Sequence, residues 1–136
     1  MYARYSGRVD FYAVYIREAH PSDGWTMESN ERVGIKIAQP KSQEERTQVA
    51  GHCCAALDLA MPLLVDTIDN EVDRAYSAFP DRLYLIDRDG RVAYKGGRGP
   101  FGYKPRDLEQ VLVLLLMEQE ARDKVKREQS HPAQGE

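Results

Sequence analysis

Asp10-Phe11-Tyr12-Ala13-Val14-Tyr15-Ile16, followed at once by Arg17-Glu18-Ala19-His20-Pro21-Ser22-Asp23-Gly24-Trp25, decides the fold. The first seven residues are a near-continuous apolar run, rich in aromatic and β-branched side chains. That composition predicts a strand covered on both faces. Pro21, Ser22, Asp23 and Gly24 are turn residues and close the segment behind it. A strand that delivers Glu18 and His20 at its carboxyl end places a carboxylate and an imidazole where open α/β sheets put their chemistry. Histidine titrates nearest neutral pH, and a neighbouring Glu orients it or raises its pKa.

Working outward from this run, Tyr2 and Tyr5 have helical spacing and Gly7 follows as a cap, which predicts the last turn of a helix over Met1 to Ser6. On the other side, Arg17 to Lys41 is a long polar connection carrying Pro21, Gly24, Gly34 and Pro40, with Val33 to Ile37 as a short extended piece. Ser42-Gln43-Glu44-Glu45 has the form of a capping box. The helix it opens carries Val49, Cys53, Ala56, Leu57 and Ala60 as one apolar stripe. Pro62 to Val65 is a second strand, Glu71 to Ser77 a short helix and Arg82 to Ile86 a third strand. Asp89-Gly90 makes a tight turn into a fourth strand, Val92 to Lys95. Gly96, Gly97, Gly99 and Pro100 form a loop. Pro105 starts a final helix with Leu108, Val111, Leu112, Leu115 and Leu116 on one face. Residues 1–129 are expected to form one partial domain and residues 130–136 a disordered tail.

This order of elements is the back portion of a thioredoxin-like α/β domain, with parallel strands first and an antiparallel hairpin last. Composition narrows the function. With 136 residues, 42% of them hydrophobic and 30% charged, the chain builds one core. A net charge of -3 and the lack of a basic stripe argue against a nucleic-acid partner. The longest apolar run, Val111 to Met117, is far short of the roughly 20 residues that span a membrane. No signal-peptide core opens the sequence, and its two adjacent cysteines, Cys53 and Cys54, frame no disulfide scaffold. The expectation is a cytoplasmic protein. Homodimer formation is left open.

Three separated stretches carry a resemblance. Tyr15-Ile16-Arg17-Glu18-Ala19-His20-Pro21-Ser22-Asp23-Gly24-Trp25 closely resembles the Tyr-Ile-Glu-Glu-Ala-His-x-Ser-Asp-Gly-Trp signature of the iodothyronine deiodinases. Asp66-Thr67-Ile68-Asp69-Asn70 with Ala75-Tyr76 agrees, as does the stretch from Pro80 to Tyr103 with its Tyr-Lys-Gly-Gly-Arg-Gly-Pro-Phe-Gly-Tyr end. The resemblance runs from about Val9 to Leu112, in order.

The resemblance implies a thioredoxin-like sheet with helices on both faces. It also implies that the first core strand, most of the first helix and the nucleophilic selenocysteine or cysteine lie outside these residues. A selenocysteine codon read as a stop would account for that, and the DNA upstream of Met1 tests it. The implied activity is reductive dehalogenation of an iodinated aromatic by a thiol donor, with no bound cofactor and an external dithiol as reductant. The chain by itself is then expected to be inactive. By the same resemblance His20 belongs to the proton network and substrate clamp, Glu18 is its acidic partner, Arg98 faces that His across the phenolic end of the substrate, and Pro80 is a cis-proline.

Two departures stand out. Near Gly34 to Gln39 there is no further His, and Met61-Pro62 stands where the vertebrate enzymes carry a Cys. Cys53 and Cys54 are candidate redox residues, or small buried apolar ones. With His52 they diverge on a helix too far to form a tetrahedral metal site. The alternatives are a more general redoxin of the peroxiredoxin or thiol-oxidoreductase kind, acting on peroxide, and a non-catalytic binding fragment.

Overall fold

A computed structural model describes residues 1–21 and 37–130. Its elements are α1 (Tyr2–Tyr5), β1 (Ala13–Tyr15), α2 (Gln43–Ala56), β2 (Leu63–Val65), α3 (Glu71–Tyr76), β3 (Tyr84–Ile86), β4 (Val92–Lys95) and α4 (Pro105–Ser130). β1 and β2 pair in parallel, with Val14 opposite Leu64. β3 and β4 pair antiparallel, with Leu85 opposite Tyr94. The architecture is a mixed α/β domain of the thioredoxin-like kind, with the parallel pair first and the hairpin last. Among the described residues these are two separate two-stranded sheets. The chain forms two compact units: residues 1–81 with 98–100, and residues 82–97 with 101–136.

In the first unit α2 packs on β2. Ser42 caps α2 by accepting from the Glu45 N–H at 3.2 Å, and the Glu45 carboxylate accepts from Lys41 N at 2.7 Å, one residue ahead of the usual box partner. The helix ends at Ala56, short of Ala60. Asp58 takes the left-handed conformation, and Leu59 N donates to Cys54 O in a Schellman closure, which an Asp signals poorly in sequence. The buried face also differs from the expected stripe. It runs through Arg46 and Ala50, while Leu57 is exposed. A guanidinium occupies that face because it finds a backbone acceptor there, the carbonyl of Thr67.

Two further expectations change. The apolar run at β1 predicted cover on both faces, yet Val14 is 39% exposed and its neighbour Leu64 50% exposed. The side chains of Ala13 and Tyr15 are half-buried, so β1 alternates as a strand covered on one face does. Gly7 makes no left-handed cap. Ser6 stays right-handed, and Arg8 and Val9 both donate to Tyr5 O.

The second unit is built from β3, β4 and α4. The turn between the strands is longer than Asp89-Gly90 alone. Asp87 N donates to Arg91 O, and the Asp87 carboxylate accepts from Asp89 N and Arg91 N. Gly90 holds the left-handed position at φ 78° that a three-residue hairpin loop requires. α4 begins at Pro105 as expected and lays Leu108, Leu112 and Leu116 against the hairpin, where Leu85 is buried. Ser130 is its last residue; the rest of the expected tail, and Val33 to Lys36 of the expected extended piece, lie outside the described residues.

Candidate active site

The candidate site residues Glu18, His20, Cys53, Cys54, Pro80 and Arg98 all fall in the first unit. That includes Arg98, since residues 98–100 belong to it although the chain on either side does not.

β1 ends at Tyr15 and the chain bends at Arg17. The bend turns Glu18 back on the strand. The Tyr15 phenol donates to Glu18 Oε1, and the Glu18 N–H donates to Gln39 Oε1 at 3.0 Å. Glu18 is thus held by a phenol on one side and an amide on the other. His20 follows two residues later and is half-buried. The pairing of Tyr15 with Glu18 is invisible to a strand model, because side chains three apart on a straight strand point to opposite faces.

Tyr15 is held neutral. Burial is the largest cause, followed by its bond to Glu18 and the charge of that carboxylate. The phenol is pushed well above its usual range, with a small opposing pull from Arg46. The Cys53 thiol, on α2, is also pushed up, by burial first and then by Glu18. Tyr15, Glu18, Cys53 and Arg46 therefore form one cluster between the end of β1 and α2. Cys53 and Cys54 are both free and half-buried.

A second set of polar residues builds the floor. Asp66, 1% exposed at the end of β2, accepts three backbone N–H groups: Thr67 at 2.8 Å, Val72 at 2.9 Å and Asp73 at 2.9 Å. It caps α3 from outside the helix, since the Asn70 side chain makes no cap bond. Gln43 accepts from Ile68 N at 2.8 Å and donates to Asp66 O at 3.3 Å. Arg46 donates to Thr67 O through Nη1, and its buried Nε has no hydrogen-bond partner. The Asp66-to-Asn70 motif is therefore a polar hinge between β2 and α3. Gln43 and Arg46 were not singled out in sequence: one stands in a helix's first turn, the other reads as a solvated helix charge.

The third stretch meets the same unit at Phe79-Pro80, a cis peptide, and Asp81. Asp81 O accepts from Gly99 N at 3.0 Å, and a Cβ added at Gly99 would fall on the Asp81 carboxylate. A side chain at 99 would therefore have to displace the exposed Asp81 carboxylate. Arg98 beside it is exposed, with its side chain available to an anion.

Residues 37–41 and the α2 residues Glu45, Gln48, Val49 and His52 line an open cavity of about 480 Å³. No group of three or more His, Cys, Asp or Glu among the described residues could hold a metal ion. No described helix is long and apolar enough to cross a membrane.

Residues 1–115 match the family model for iodothyronine deiodinase. The thyroxine 5-deiodinase of Sparus aurata is 39% identical over 110 residues, covering 81% of this chain and 39% of that protein. Those of Rattus norvegicus and Homo sapiens are 41% and 40% identical over 108 residues, covering 77% of this chain and 33% of each relative. The chain thus spans 33–39% of the length of these curated relatives. On three motifs in register and a match over residues 1–115, the chain belongs to the iodothyronine deiodinase family.

Proposed function

We propose that this chain carries the proton-handling and anion-binding side of a reductive deiodination site, acting on an iodinated phenol such as thyroxine with a thiol as reductant. The observation that carries the reading is the Tyr15–Glu18 pair inside the family's signature segment, in one compact unit with Arg98. In the reaction a carbon–iodine bond breaks and the ring carbon takes a proton. Iodide leaves, and two thiols supply the electron pair and become a disulfide.

Each residue has a part in this. Glu18, fixed by Tyr15 and Gln39, holds the proton source near the ring. His20 holds the phenolic oxygen. Arg98 offers a permanently charged, multi-donor partner to the phenolate or carboxylate of the substrate.

The attacking group must be a soft thiolate or selenolate of low pKa. Cys53 is disfavoured in that role, because burial and Glu18 push its thiol the other way. The same argument weighs against a peroxide-reducing thiol at this position. The chain alone is therefore expected to bind the substrate and to release little or no iodide. A homodimer belongs to the same proposal, supported by Leu114, Met117 and Val125 lying exposed on α4; sedimentation velocity tests it.

Equilibrium dialysis with thyroxine tests the main reading. Saturable binding that weakens about tenfold in Arg98→Ala and in His20→Ala is the expected result. Absence of saturable binding contradicts it. Iodide release with dithiothreitol that disappears in Cys53→Ser would contradict the assignment of Cys53.

A further inference from the structure

Arg17 stands between Tyr15 and Glu18, yet it faces neither. Its Nε lies 2.9 Å from Asp73 Oδ2, and its guanidinium carbon sits 4.2 Å from the centre of the Phe79 ring. Asp73 is 4% exposed, and its other oxygen accepts from Phe79 N at 2.9 Å. One guanidinium thus grips the residue before Pro80 twice, once through its ring and once through the carboxylate that holds its N–H. A planar cation suits both contacts, since it can donate in its plane while stacking by its face.

The contact continues along the chain. Phe79-Pro80 runs into Asp81, and Asp81 O holds Gly99 N, next to Arg98. The segment bearing Glu18 and His20, the segment around Pro80 and the loop bearing Arg98 are therefore linked in series, and Arg17 is the first link.

We propose that Arg17 is a positioning residue that sets the Glu18–His20 segment against Phe79-Pro80 and, through Asp81, against the Arg98 loop. It touches no substrate. Its effect is to fix the separation of the groups that would clamp a phenol, a task in which small displacements matter greatly. The inference rests on the proposed function for its ligand but not for its geometry.

The test compares the whole chain with Arg17→Ala and Arg17→Lys by two measurements. The first is the His20 ring resonance, distinguishable among three histidines by its loss in His20→Gln. The second is the dissociation constant for thyroxine. Arg17→Ala is expected to shift or broaden the His20 signal and to weaken thyroxine binding about tenfold. Arg17→Lys, which keeps the charge but not the planar face that stacks on Phe79, should recover only part of both. Arg17→Ala that lowers only the melting temperature, with the His20 signal and thyroxine binding unchanged, overturns the proposal. If the wild-type chain binds no thyroxine, the functional reading fails, and the His20 signal alone decides whether Arg17 positions the segment.

Discussion

The two compact units are held together by different physics. In the second, the buried side chains are Leu85, Leu108, Leu112 and Leu116. In the first, among the described residues, the buried apolar residues are Pro40 and Ala50, and Arg46, Asp66 and Asp73 are buried with them. Apolar packing is non-directional and tolerates small adjustments. A buried carboxylate with three backbone donors fixes positions closely, and leaving any of those groups unpaired is costly. The unit that carries the candidate site residues is thus the one whose described interior is built from directional contacts. That suits a site whose groups must keep a set spacing, and it makes the unit sensitive to single polar substitutions.

Substitutions in each unit can break this contrast. The largest effect is expected at Asp66. Asp66→Ala strips acceptors from Thr67, Val72 and Asp73 N–H groups, and about 4 kcal/mol of stability should be lost. Hydrogen exchange should show the loss concentrated in residues 63–79. Leu112→Ala in the second unit should cost about 3 kcal/mol by leaving a cavity, read from urea unfolding. Comparable protection in both regions after Asp66→Ala would erase the contrast.

Alkaline pH sharpens it further. Cys53 and Tyr15 are both pushed above their ordinary values of 9.0 and 10.0 in the folded chain, so folding favours their neutral forms. That contribution is fully present below those values. It is lost as pH rises past them, because the unfolded chain ionises first. Stability measured by denaturant at rising pH should fall more steeply in the wild type than in Tyr15→Phe. The smallest effect is expected at the exposed Arg88–Asp123 pair, 3.3 Å apart in the second unit. Asp123→Ala should change stability by less than about 0.5 kcal/mol, within reach of careful urea titrations.

Much of this was legible in the residues, and the reasons for the rest are physical. The strands at Val92 to Lys95 and at Leu63 to Val65 announced themselves by composition, and Pro105 and Ser42 marked helix starts through backbone chemistry. The end of α2 was misplaced because Asp58 took a conformation usually signalled by glycine. The apolar run at β1 does not report how many faces are covered, and Val14 stands exposed on one of them. At the candidate site, Glu18 and His20 are singled out by their place after a strand, and Arg98 by the family pattern. Their supports escaped notice: Tyr15 reads as a strand aromatic, and Arg17, Arg46 and Asp73 read as surface charges. Only folding brings a carbonyl to Arg46 and a ring to Arg17.

The most direct test of the account is the titration of Tyr15 itself, followed by the ring-carbon resonance of labelled tyrosine and assigned with Tyr15→Phe. The account predicts a phenol that stays protonated through the ordinary range near 10 and whose midpoint drops in Glu18→Gln, where the carboxylate charge is gone. A Tyr15 that titrates at an ordinary value, indifferent to Glu18→Gln, would show that the phenol and the carboxylate do not hold each other, and the proposed proton-handling pair would fall with it.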